Sequence, residues 1–298
     1  MVMEKRHINS ALPPLVMYSF DELKRARARL EIVKYWVSGK RNGISLKELL
    51  QKTFDRSYTT KARSVIKQIK QHDSFLKVVF KDLDYPLYYP MEMPLYSLYQ
   101  VIAEIFFGDD WHYYEFQPTK VSEGDVVVDC GAAEGLFSLL VATRCHKVYA
   151  IEPLPRFVEA LRLTFSRIDN VTVVACALAD REGEGKLSRA GISSSLLLSK
   201  KDGTSVKIET LDNLFYKNNI KVTYLKGDLE GSELDVLRGG VDTIRAFTPK
   251  IAITTYHRAE QADEMSGFLR IVNPDYRIRL KGLHANRGSF VMLHAWVE

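Results

Sequence analysis

The sequence predicts an α/β fold: a mainly parallel sheet with an antiparallel C-terminal end, preceded by an N-terminal helical extension and a hairpin. Three observations carry the prediction. From Val121 onward, strand-like apolar runs alternate with helix-like segments, the pattern of a parallel sheet layered by helices. Val126-Val127-Val128 is apolar on both faces, as a strand buried inside such a sheet must be. The tail carries two strand-like runs, Tyr276-Arg277-Ile278-Arg279-Leu280 and residues 289–296, joined by a loop with no helix between them.

Length and composition fit that architecture. A chain of 298 residues can bury a full core and divide into a basic, mostly helical region over 1–115 and an α/β domain over 116–298. Its 46% hydrophobic and 27% charged content is ordinary for a globular chain. No apolar run nears the roughly 20 residues needed to span a bilayer, and Met1-Val2-Met3-Glu4-Lys5-Arg6 leads into no signal-peptide core. Cys130, Cys145 and Cys176 fall in or beside apolar runs and read as buried thiols, which favours a reducing cytoplasm. Charge is uneven. Residues 1–80 hold 17 Lys and Arg against 7 Asp and Glu; the remainder holds 25 against 30. An anionic partner for the front segment is one reading; solvated helix faces are the commoner cause.

The elements follow in order. Residues 1–18 read as a loose arm interrupted by Pro13-Pro14. Ser19-Phe20-Asp21-Glu22 fits a capping box and Gly39 a stop, predicting a helix over 20–38. Ser45-Leu46-Lys47-Glu48 repeats the cap before a short helix toward Phe54. A third helix is expected over 60–72, with Ala62, Val65, Ile66 and Ile69 as its apolar stripe. Residues 75–80 and 85–90 suggest a hairpin whose prolines put the second strand at an edge. Three helices and a hairpin could form a winged helix, but no cluster of base-reading Arg, Asn and Gln stands out, so nucleic acid is not the expected partner. A helix over 96–107 leads into Gly108-Asp109-Asp110-Trp111-His112-Tyr113-Tyr114-Glu115, a candidate lid.

Sheet strands are expected at 126–128, 147–151, 171–177, 222–226 and 250–255, with helices from Leu136 and over 155–166. Residues 181–198, containing Ser193-Ser194-Ser195, read as an inserted ribbon and loop, followed by a short extended piece at 206–211.

Chemistry gathers where the strands end. Asp129 closes the Val run, Gly131 and Gly135 allow a tight turn, and a helix starts at Leu136. The next strand ends at Glu152-Pro153, about twenty residues on, where βαβ nucleotide sites place a ribose-binding acid. Asp180, the run Gly227-Asp228-Leu229-Glu230-Gly231-Ser232-Glu233 and Tyr256-His257 lie at the same carboxyl edge. Gly131 and Gly135 do not complete a Gly-x-Gly-x-x-Gly fingerprint, which counts against a nicotinamide dehydrogenase.

From about Phe75 to the end, the chain resembles the FkbM-type methyltransferases, which use S-adenosylmethionine (SAM). The pieces that carry the resemblance are residues 124–135, Ile151-Glu152-Pro153, Ala177-Leu178-Ala179-Asp180, residues 227–233 and Tyr256-His257. It implies the seven-stranded, Rossmann-like sheet of class I methyltransferases. It further implies that Asp129, Gly131 and Gly135, with Ala132, hold the methionine part of SAM, and that Glu152, beside Pro153, takes the ribose. Asp180 or the backbone beside it, with Ala177 and Leu178, would meet the adenine. Two departures stand out: Ala133-Glu134 replace the family's usual Asn and apolar residue, and Gly227 replaces a β-branched one.

Methyl transfer to a hydroxyl needs alignment, exclusion of water and a base. His257 is the expected base, since the ordinary imidazole value of about 6.5 suits neutral pH. Asp228 and Glu230 would orient it or bind the acceptor. These residues resemble a metal set, but no spacing enforces octahedral geometry, so no metal is assigned. The expectation is an O-methyltransferase of a sugar hydroxyl, the sugar coming from the resemblance alone. The alternatives are a non-sugar acceptor such as a polyketide hydroxyl or an amine, and a SAM-responsive nucleic-acid-binding module. Whether the chain forms a homo-oligomer is left open.

Overall fold

The computed structural model describes residues 15–187 and 204–298, with side chains described from residue 23 onward. Ser193-Ser194-Ser195 and most of the expected arm lie outside the described residues. The N-terminal region opens with α1 (Leu15–Val37), α2 (Leu46–Thr53) and α3 (Tyr58–Val65). The cap predicted at Ser45 is present: its hydroxyl accepts the Glu48 N–H, and the Glu48 carboxylate accepts the Ser45 N–H. The cap expected at Ser19 is not the start of its helix, because α1 begins at Leu15 and runs through it. Nothing between Leu15 and Ser19 breaks a helix, so the signature falls inside one.

The third helix is shorter than predicted. It stops at Val65, and β1 (Ile66–His72) turns back on β2 (Phe75–Phe80), with β3 (Leu87–Pro90) on the far side of β2. Ile66 and Ile69 fit a helical stripe by spacing. The tight turn at Asp73 (φ +51°) and the ladder to β2 win instead, an override of local pattern by pairing. α4 (Leu95–Phe106) then leads to the loop before the main sheet.

The α/β part runs β4 (Val126–Cys130), α5 (Leu136–Ala142), β5 (Lys147–Ile151), α6 (Pro155–Thr164) and β6 (Val171–Val174). Here the predicted strand 171–177 splits. β6 leaves the sheet at Val174, and β7 (Ala177–Leu178) joins a small sheet with β8 (Gly183–Leu187) and β9 (Thr204–Glu209). A π-helical turn over Asp212–Tyr216 follows, then β10 (Tyr224–Gly227), α7 (Glu233–Arg238), α8 (Val241–Phe247) and β11 (Lys250–Thr254). α9 (Gln261–Val272), β12 (Arg277–Lys281) and β13 (Met292–Trp296) complete the chain.

The seven-stranded order is β12-β13-β11-β10-β4-β5-β6. β13 is antiparallel to both neighbours, while the pairs β11–β10, β10–β4, β4–β5 and β5–β6 are parallel. The expected fold class is therefore borne out. Strand order reverses at β4, which lies between β5 and β10, and a crevice opens beyond the carboxyl ends of β4 and β10. One apolar core runs from Ile32, Leu49 and Val78 through Leu98 and Ile102 to Phe137, Val148 and Leu161. The N-terminal region thus packs into the same core as one face of the sheet. A second core, with Val128, Leu225, Ile251 and Leu269, fills the other face.

Candidate active site

The crevice holds a cavity of about 350 Å³, in the range of small-molecule sites. Its floor is the turn after β4. Gly131 takes φ +73°, and a Cβ placed there would lie 2.1 Å from the Asp228 carbonyl oxygen. Gly135 takes φ +84°, and its Cβ would press on Leu161 and Phe165 of and beyond α6. Both glycines are therefore required by the protein's own packing. Gly131 and Ala132 line the cavity; Gly135 and Asp129 do not.

Asp129 lies beneath the floor, fully buried. Its Oδ1 is 2.9 Å from Lys226 Nζ, and its Oδ2 accepts the Ser138 hydroxyl at 2.7 Å. Lys226 also donates to the Gly131 carbonyl at 2.8 Å. Burial opposes its charge, but Asp129 and Asp228 outweigh that and hold its pKa above the ordinary lysine value. Lys226 lines the cavity and ties β10 to the β4 turn. Sequence reasoning passed over it. The signal was a lone cation ending a strand apolar on both faces.

Glu152, expected from the resemblance to take the ribose, lines the cavity. It is 4% exposed, and its two oxygens accept the Leu154 and Ala133 N–H groups at 2.8 and 2.9 Å. Each oxygen keeps a lone pair for a ligand hydroxyl. Burial pushes its pKa up to about 7, and does the same to Glu134, which is 6% exposed and lines the cavity rather than pointing to solvent. Pro153, Ala177 and Leu178 continue the same wall. Asp180 stands off it, pairing with Arg181 at the surface.

Asp228 and Glu230 enter from the loop after β10. Asp228 Oδ2 accepts the Tyr114 hydroxyl at 3.0 Å. The Thr254 hydroxyl lies 3.3 Å from Asp228 Oδ1 and 3.2 Å from Glu233 Oε1, and can donate to one at a time. Gly227 leaves room for Ile253, whose side chain would lie 2.6 Å from an added Cβ. The missing β-branch therefore fits the packing, and Asp228 is held by Tyr114. Glu230 takes φ +54°, a strained conformation for a residue with a side chain.

His257 sits behind these carboxylates. Its Nδ1 is 2.8 Å from Glu233, and its Nε2 is 3.4 Å from Glu230 and 3.9 Å from Asp228, though neither nitrogen makes a linear hydrogen bond. Burial lowers its pKa, but Glu230, Glu233 and Asp228 outweigh burial and lift it to about 10. The ordinary value assumed from sequence does not apply: His257 is an imidazolium at neutral pH. Asp228, Glu233 and His257 offer ligand atoms within 4.8 Å of one another. The Glu233 oxygens, however, already accept the Leu229, Gly231 and Gln261 N–H groups, which leaves little capacity for an ion.

The opposite wall comes from α4 through Ser97, Gln100 and Glu104, completed by Tyr114 and Tyr256. Glu104 is the single charged residue of its helix, a signal that sequence reasoning missed. Burial raises its pKa, and His112 lies 3.8 Å away. Tyr114 belongs to the loop expected as a lid, and Asp110 anchors that loop to α2 through Lys52 at 2.7 Å.

A buried carboxylate poised for vicinal hydroxyls and a cavity rich in acids fit a cationic nucleoside such as SAM. The sequence profile of the methyltransferase FkbM domain matches residues 129–278. No curated protein sequence matches the chain. Solved structures similar to it include three methyltransferases. Methyltransferase FkbM from Methylobacillus flagellatus KT is 20% identical, with 80% of this chain and 58% of that chain covered and a TM-score of 0.48. Precorrin-6y C5,15-methyltransferase from Geobacter metallireducens is 15% identical, covering 60% and 84%, at a TM-score of 0.36. TYW2 from M. jannaschii, in complex with AdoMet, is 16% identical, covering 76% and 84%, at 0.39. The chain thus spans 58% of the length of the first of these. Since the domain profile takes in half of its residues, the chain belongs to the FkbM methyltransferase family, whose cofactor is SAM.

Proposed function

We propose that this protein is an O-methyltransferase that moves the methyl group of SAM to a sugar hydroxyl. When bound, SAM supplies an electrophilic methyl on a sulfonium. In this reading Glu152 orients the ribose, while Ala132 beside the turn and Ala177 and Leu178 along the wall enclose the remainder. Asp129 acts from below by fixing Lys226 and the Gly131 carbonyl, and Gly135 by letting α5 pack close.

The observation that carries the proposal is the convergence of Asp228, Glu230, Tyr114 and Glu104 on the cavity that Glu152 enters. The new bond joins the acceptor oxygen to the methyl carbon as the carbon–sulfur bond breaks. The hydroxyl proton passes to Asp228 or Glu230. His257, being already protonated, serves as the counter-charge beside those carboxylates and keeps them aimed. No metal is needed for that proton transfer.

Among the described residues Lys226 is the one Lys or Arg lining the cavity, and Asp129 already balances it. Such a wall suits a neutral polyhydroxyl acceptor and repels phosphate. The same excess of acid favours a second reading, an amine acceptor on a non-sugar small molecule. A cytoplasmic setting and the division into 1–115 and 116–298 belong to the leading proposal. The free thiols of Cys130, Cys145 and Cys176 support the first. The test is transfer of label from methyl-labelled SAM to free sugars, nucleotide sugars, non-sugar alcohols and amines. Label in neutral sugars supports the proposal, and label confined to non-sugar compounds rejects it.

A further inference from the structure

Large apolar side chains that face solvent are concentrated in one stretch of the chain. Of nine among the described residues, six lie between positions 23 and 54: Leu23, Leu30, Val37, Leu46, Leu50 and Phe54. On α1 the outward stripe reads Leu23, Arg27, Leu30, Lys34, Val37, at alternating spacings of four and three that keep it on one helix face. Ile32, on the other side of that helix, is buried. Every exposed charged residue in this stretch is basic, Lys40, Arg41 and Lys47 among them. The two acids of the stretch are half-buried and engaged: Glu31 pairs with Lys34, and Glu48 closes the cap of α2.

We infer that the outer surface of α1 and α2 docks on an anionic lipid surface, with α1 lying along it. Leucine, valine and phenylalanine would enter the boundary between headgroups and acyl chains, and lysine and arginine would meet the lipid phosphates. Charge complementarity selects this partner twice over. Residues 1–80 carry ten excess positive charges and the remainder five excess negative ones, so an anionic plane attracts the front segment and repels the rest of the chain. Nucleic acid would match the cations but leave the apolar stripe against water, whereas a lipid interface takes both. No described helix is long and apolar enough to cross a membrane, so the contact is one of lying on it.

The test uses the full chain, sedimented with vesicles of phosphatidylcholine alone or mixed with phosphatidylglycerol, at about 0.1 M and about 0.5 M salt. The expected result is at least ~10-fold stronger partition onto the anionic vesicles, reduced by salt. Two double variants, Leu30→Ser with Val37→Ser and Arg27→Gln with Lys34→Gln, should each lower that partition about tenfold. All four positions face solvent, and unchanged melting with unchanged S-adenosylhomocysteine binding confirms intact folding. Absence of pelleting overturns the inference. So does full retention by the serine variant, which would mean charge alone, and so does low-salt binding to duplex DNA without vesicle binding.

Discussion

At the scale of single residues, charge placement decides what each group can do. His257 was legible as a site candidate because it follows a strand at the same carboxyl edge as Asp228 and Glu230. Its ionisation was not, because the three carboxylates that raise it come together only through the fold. Its folded value of about 10 exceeds the ordinary 6.5, so the stability it contributes is complete below pH 6.5 and is lost as pH rises toward 10. His257→Gln should flatten that alkaline loss, worth a few kcal/mol at most, in urea titrations at successive pH values. Retention of the wild-type slope would remove the imidazolium assignment. Gly131 makes a different point. The sequence suggests a glycine that admits ligand, whereas the contact that excludes a side chain is the Asp228 carbonyl at 2.1 Å. Gly131→Ala should therefore cost on the order of 2 kcal/mol or more in the absence of any ligand, measurable as a lowered melting temperature.

At the scale of elements, the sequence was legible wherever period and punctuation agreed. The triple valine, the helix opening at Leu136 and the two tail strands lie where the pattern put them. It was misleading where two periods overlap. Ile66 and Ile69 satisfy a helix, yet their segment pairs with β2; Ala175 and Cys176 extend an apolar run, yet the chain changes sheets there. Neither outcome is encoded locally, since each depends on a partner strand. The loop before the main sheet is the element on which the acceptor wall depends. Asp110 is buried between Lys52 and His112, which together outweigh burial to hold its carboxyl well below the usual range. Lys52→Met should leave that carboxylate undercompensated and lower stability by about 2 kcal/mol or more. Through Tyr114 it should also lower turnover more than it changes S-adenosylhomocysteine affinity. Equal loss of both would show that the loop supports the whole cavity rather than one wall.

At the scale of the molecule, the two regions distinguished by composition share a core that runs from Ile32 to Leu161. Charge asymmetry is visible in the sequence; the continuity of packing is not, because the pattern of α1, the longest helix of the front region, shows little of which face it will bury. Unfolding should accordingly be one cooperative event. Tryptophan fluorescence, with Trp36 and Trp111 in the front region and Trp296 in β13, should follow the same urea curve as circular dichroism. Separate transitions would mean that the helical region stands on its own.

The excess of carboxylates around the cavity has one more outcome, felt after the chemistry rather than before it. In the proposed reaction, methyl transfer would strip the sulfur of its positive charge, so the spent nucleoside would lose an attraction that drew its parent in. An acid-lined chamber of this kind favours its reagent over its waste and hastens clearance between cycles. Added salt should therefore weaken retention of the charged form more than that of the neutral one, narrowing the gap between their dissociation constants.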